Sequence, residues 1–123
     1  MLSLLRFALG IQSLYYVASG ALPILSMSTF EAITGPKTDD WLVRMVALLA
    51  IVIGLALAAA AKRRSFAPET IVLSVGSAAA FSLIDIVYAT SGRISKIYLA
   101  DAVVEMVIVA CVLYGTVLAK KTV

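Results

Sequence analysis

DDWLVRMVALLAIVIGLALAAAA, residues 39 to 61, decides how this chain is read. Past Trp41 the run carries one charged side chain, Arg44, and is otherwise apolar on every face a helix could present. A helix that is hydrophobic all round is buried in a large core or in lipid. At about 1.5 Å rise per residue, roughly 20 such residues match the hydrocarbon thickness of a bilayer. The whole chain has only 123 residues, so no large protein core is available to hide the run.

Composition agrees. The chain is 63% hydrophobic and 14% charged, with a mean hydropathy of +1.07. Soluble domains average about 45–50% apolar and about 25% charged residues. The medium is therefore expected to be a lipid bilayer. The net charge of +3 comes from short basic clusters beside apolar runs, a pattern of span flanks rather than of a nucleic-acid face, and nucleic acid is not expected as a partner. There is no histidine and one cysteine, Cys111, set in an apolar run and read as a small buried hydrophobe. Neither a metal site nor a haem or other cofactor is expected.

Working outward from residues 39–61, three further segments reach spanning length, giving spans at about 2–26, 41–61, 68–90 and 97–118. The predicted fold is all-α: one domain, a polytopic bundle of four antiparallel transmembrane helices. The breaks carry helix-end chemistry. Thr38, Asp39 and Asp40 offer cap oxygens and negative charge before the second span, Pro68 and Glu69 suit the first turn of the third, and Ser95 can cap the fourth. In STFE, Ser28 and Glu31 have the spacing of a capping box, which predicts a short interfacial helix stopped by Gly35 and Pro36. The first segment is read as a span rather than a cleaved leader, because Gln12 and Ser13 interrupt its apolar core and it is long enough to cross. Arg6, Lys62, Arg63, Arg64, Lys120 and Lys121 would share one side, against Lys37, Arg44, Arg93 and Lys96 on the other. The bias predicts both termini in the cytoplasm.

Four ionisable residues fall inside the spans: Arg44, Asp85, Asp101 and Glu105. Arg44 follows Trp41 by three residues and Asp101 follows Tyr98 by three, so each lies about 4–5 Å below an interfacial aromatic. Asp85 is near the same end of the third span, and Glu105 lies one turn below Asp101 on the same face. All four would occupy the outer half of the bilayer. Intramembrane charges face the bundle interior, a cavity or the interface. The expected arrangement is one polar cluster in which Arg44 bridges carboxylates of the third and fourth spans. One arginine against three acids leaves a negative excess, and Glu105, the deepest, is expected to carry its proton. Ser74, Ser77, Ala78, Phe81 and Ser82 share the Asp85 face, and Gln12, Tyr16 and Ser19 share a face of the first span. Gln12, Tyr16, Tyr88 and Tyr98 are the candidate lining of a pocket around the cluster. Whether the cluster is a structural ion network or a ligand or proton site stays open at this stage. WLVR and YLAD, 57 residues apart, are either a remnant of duplicated hairpins or two helices obeying the same interface rules.

Phe30–Glu31, Gly35 to Asp39, Trp41 to Arg44 and Gly54 carry a resemblance to small four-helix bacterial membrane proteins, distantly similar to the DoxX-like families. The resemblance implies a multi-pass protein of the bacterial inner membrane and brings no reaction or catalytic residue with it. Small multidrug-resistance transporters share the span count, but their first-span glutamate has no counterpart here, where that span offers Gln12. No catalytic motif is present, and an enzyme is not the expected reading. The leading expectation is a binding or accessory subunit with an outward-facing polar pocket for a hydrophobic small molecule, lipid-like or quinone-like. The alternatives are a proton-coupled small-cation transporter acting as a homo-oligomer, namely a homodimer, and a structural scaffold with a membrane partner.

Overall fold

The computed structural model describes residues 2–63 and 67–121, with side chains from Leu4 to Leu118 within them. Arg64, and the side chains of Lys120 and Lys121, all of which entered the topology count, lie outside the described residues. The described residues form five helices: α1 (Leu2–Leu25), α2 (Met27–Thr34), α3 (Asp40–Ala61), α4 (Pro68–Thr90) and α5 (Ile97–Lys121). Four of them, all but α2, are long and apolar enough to cross a membrane, with α3 the most apolar. The chain is an all-α, multi-pass bundle of antiparallel helices.

Its outside is hydrocarbon. Phe7, Leu14, Val52, Val72, Leu83 and Val103 are each 60% exposed or more. Such a surface is stable against lipid and would drive aggregation in water. Inside, packing relies on small side chains. The buried stripe of α3 is Ala47, Ala50, Gly54, Leu57 and Ala60, and that of α4 is Ser74, Ala78, Ser82, Asp85 and Ala89. Helices in lipid gain little from burying apolar surface, so close van der Waals approach over small residues supplies the association.

The helix α1 is the hub, packing along α3 and α5, while α4 packs on α5 and meets α3 only sparingly. Two glycines set the α1–α3 spacing. A Cβ on Gly20 would lie 2.6 Å from the Ala47 carbonyl oxygen, and one on Gly54 would lie 2.8 Å from Val17 Cγ2. At the other end of α3, the Arg6 side chain donates to the Ala61 carbonyl at 2.6 Å, satisfying one of the acceptors that a helix C-terminus leaves free.

Two helix starts differ from the sequence expectation. The N-cap of α2 is Ser26, not Ser28: its Oγ accepts from the Thr29 amide, and Glu31 turns instead to accept the Lys37 amide at 3.2 Å. Helix α1 runs to Leu25, which leaves only Ser26 free to start the next helix. Asp39 stands at the N-cap of α3 without a side-chain cap bond, so its contribution there is charge beside the helix dipole.

Candidate functional site

A cavity of about 620 Å³ lies toward the Trp41 end of the bundle. All five helices reach it. Its wall on α3 is purely apolar, from Val43, Val46, Ala47 and Ala50. The facing wall is mixed: Tyr15 and Tyr16 from α1, Phe81 and Asp85 from α4, Tyr98, Asp101 and Glu105 from α5. Phe30, Thr34 and Lys37 close it near the membrane surface. Val46 of α3 and Ile84 of α4, two helices that meet only sparingly, both line the cavity and are about half exposed, at 50% and 52%. The chamber therefore opens sideways through the apolar face of the bundle.

Each carboxylate has its own environment. Glu105 is 1% exposed and accepts the Tyr16 hydroxyl at 2.8 Å. Asp101 accepts the Tyr15 hydroxyl. Asp85 is 5% exposed, and its Oδ2 has no hydrogen-bond partner. The Tyr16 ring also meets Phe81 edge-on, with centroids 5.4 Å apart, which fixes the direction in which its hydroxyl points.

Asp85, Asp101 and Glu105 thus converge on one chamber, as their helical faces require. Arg44 does not join them. It is exposed and contributes nothing to the cavity wall, so the expected bridge between Arg44 and the acids is corrected. The reason is rotation rather than depth. The stripe through Val43, Ala47, Ala50 and Gly54 faces inward, and at 3.6 residues per turn Arg44 is turned roughly 90° from its centre. The tight α1–α3 contact at Gly20 and Gly54 locks that rotation. Arg44 then serves as a charge near the membrane surface beside exposed Trp41.

The cation that does reach the chamber is Lys37, which the sequence reading placed only in a break. Its Nζ donates to the Thr34 and Gly35 carbonyls at 3.2 and 2.9 Å, and lies 5.7 Å from the Phe30 ring centroid and 5.3 Å from that of Tyr98. It closes the mouth with its own bonding already satisfied. Among the described residues, Asp101 and Glu105 bond to tyrosines, and none of the three chamber acids bonds to an Arg or Lys side chain.

Of the candidate lining, Tyr16 and Tyr98 line the cavity, whereas Gln12 and Tyr88 do not. Gln12, fully buried one turn from Tyr16, clasps α4: its amide donates to the Ser74 carbonyl at 3.0 Å and its Oε1 accepts the Ser74 hydroxyl at 2.5 Å. Tyr88 points away, 38% exposed, because it lies beside rather than on the stripe of Asp85 and Ala89. Its main-chain oxygen takes the Arg93 amide at 2.9 Å and helps end α4. Tyr15, which is not among the candidate lining residues, also lines the cavity and holds Asp101.

Among the described residues no group of three or more His, Cys, Asp or Glu is placed to hold a metal ion. What the chamber can do is accommodate a largely apolar body while presenting oxygen acceptors and hydroxyls along one wall. No protein-family model, curated protein or solved structure matches the chain.

Proposed function

We propose that this is a small integral protein of the bacterial inner membrane, both termini cytoplasmic, that binds a hydrophobic small molecule, lipid-like or quinone-like, as a binding or accessory subunit. The observation that carries the reading is the chamber of about 620 Å³ with a lipid-facing doorway at Val46 and Ile84 and buried carboxyls opposite. Small-molecule sites have about this volume and this mix of apolar lining with a few convergent polar groups. A ligand dissolved in the bilayer would enter sideways without crossing water. The resemblance of residues 30–54 to small four-helix bacterial membrane proteins is in keeping with this and adds no reaction.

The test is native mass spectrometry of the protein released from membranes in a mild detergent. A retained small-molecule adduct is expected on the native chain and is expected to vanish in Val46→Trp, which fills the doorway from an already half-exposed position. Absence of any adduct, together with an unchanged phenotype in Val46→Trp, overturns the proposal.

A second reading, proton-coupled transport of a small cation by a homodimer, is favoured by one observation: among the described residues, Asp101 and Glu105 bond to tyrosines, and neither they nor Asp85 bonds to a basic side chain. It requires proton movement coupled to a cation in proteoliposomes, abolished by Glu105→Gln at the buried acid that Tyr16 holds. A flat proton signal across a panel of cations removes it.

A further inference from the structure

The polar groups around the chamber are not equally committed. The Tyr16 hydroxyl is given to Glu105 and the Tyr15 hydroxyl to Asp101. The Lys37 ammonium is spent on the Thr34 and Gly35 carbonyls and on the faces of Phe30 and Tyr98. Asp85 is left over. It is 5% exposed, lines the chamber, and keeps Oδ2 buried without a donor. A buried acceptor with no partner is destabilising, and more so when it carries charge. Asp85 lines the chamber, and a turn of its carboxyl brings that oxygen to a donor carried by an occupant.

The kind of donor follows from the surroundings. Three carboxyls face the space, and the one basic side chain on its wall is already bonded to main-chain oxygens. A cationic donor favours the ionised form of the carboxyl it meets, and charge-assisted hydrogen bonds are roughly twice as strong as neutral ones. Phe81 lies one turn before Asp85 on the same helix and also lines the chamber, so an aromatic ring is available near the cation. The remaining wall, Val43, Val46, Ala47 and Ala50, offers only hydrocarbon contact.

We propose that the chamber binds a lipophilic primary amine, its protonated amino group donating to the free oxygen of Asp85 and its apolar body lying along the α3 wall. This rests on the reading of the chamber as a ligand site and names the chemistry of its ligand. The amine enters from the lipid between Val46 and Ile84 with its charged end toward the Trp41 side of the membrane. Quinones carry acceptors only and leave the Asp85 oxygen unserved.

The experiment compares dodecylamine, dodecanol and dodecanoic acid, each below its micelle-forming concentration at pH 7, on the purified protein in nanodiscs, with binding read by titration calorimetry and by native mass spectrometry. Dodecylamine is expected to bind at least about tenfold more tightly than the other two, a gap of about 1.4 kcal/mol. Asp85→Asn, nearly isosteric and so the least disruptive change, is expected to erase that preference. Val46→Trp is expected to block dodecylamine while leaving Asp85 intact. Equal affinity for dodecylamine and dodecanol, or an undiminished preference in Asp85→Asn, overturns the amine assignment while leaving the chamber a ligand site if Val46→Trp still blocks binding. No binding of any of the three, with no native adduct, overturns both.

Discussion

Tyr16 of α1 reaches across the bundle to Glu105 of α5, its hydroxyl donating to Oε1 at 2.8 Å with both side chains 1% exposed. The pair ties the hub helix to the fourth span at the level of the chamber. Interhelical hydrogen bonds in membranes average about 0.6 kcal/mol and reach about 1.7. The burial here favours the upper part of that range. Tyr16→Phe is expected to cost about 1 kcal/mol in detergent-induced unfolding. In a Glu105→Leu background the same change should cost close to nothing, and a double-mutant cycle with no coupling would show that the contact does not hold the helices.

The α1–α3 spacing makes a second, sharper demand. At Gly20 a methyl group would sit 2.6 Å from a main-chain oxygen and 2.8 Å from Ile51 Cγ1. The backbone of α3 cannot rotate away without breaking its own ladder, so the two helices must part. Gly20→Ala is expected to destabilise by about 1–3 kcal/mol, the usual range for overpacking. Gly10 and Gly76 have nothing within 4 Å of the added atom. Alanine at either is expected to leave the midpoint unchanged or slightly raised. Equal effects at the three sites would mean that the helices are not in close contact at Gly20.

The spans were legible because lipid imposes a simple rule: length and apolarity suffice, and residues 39–61 satisfy it on every face. The convergence of Asp85, Asp101 and Glu105 was also legible, since costly groups in lipid turn inward. Three features were not. Depth along α3 can be counted from Trp41, but rotation is set by which face meets α1, and that depends on the Gly20 and Gly54 contacts between segments far apart in sequence. Lys37 reaches the mouth because Gly35, at φ +98°, turns the chain after α2, a fold-back that a sequence break does not announce. Tyr15 is next to Tyr16 in the chain, and both reach carboxyls because a tyrosine hydroxyl is far enough from its helix axis to bridge to a neighbour.

The Gln12–Ser74 clasp gives a third prediction. Both side chains are essentially buried, at 0% and 1%, and each serves the other. Gln12→Leu removes the acceptor of the Ser74 hydroxyl and the donor to the Ser74 carbonyl together. The single change is expected to cost about 1–2 kcal/mol, mostly the penalty of the unpaired groups left behind. Adding Ser74→Ala removes the orphaned hydroxyl and should restore about half of the loss. A double variant weaker than the sum of the singles would place the clasp outside the energetics of the α1–α4 contact.

Arg44 offers the most decisive contrast. Were it the partner of buried carboxylates, removing it would leave uncompensated charge and cost about 3–5 kcal/mol. Its exposed position outside the cavity wall predicts otherwise. Arg44→Gln should shift unfolding stability by no more than about 0.5 kcal/mol, as for a surface position without a partner. Ligand binding in the chamber should be unaffected, because the arginine touches neither its wall nor its doorway. The same substitution bears on insertion, since Arg44 lies near one end of α3 and contributes to the balance of basic residues across the membrane. Cysteine-labelling from each side of intact vesicles separates the two effects. A stable, correctly inserted Arg44→Gln protein fits an interfacial charge, whereas a protein that inserts correctly and unfolds several kcal/mol more easily would restore the arginine to the acid cluster.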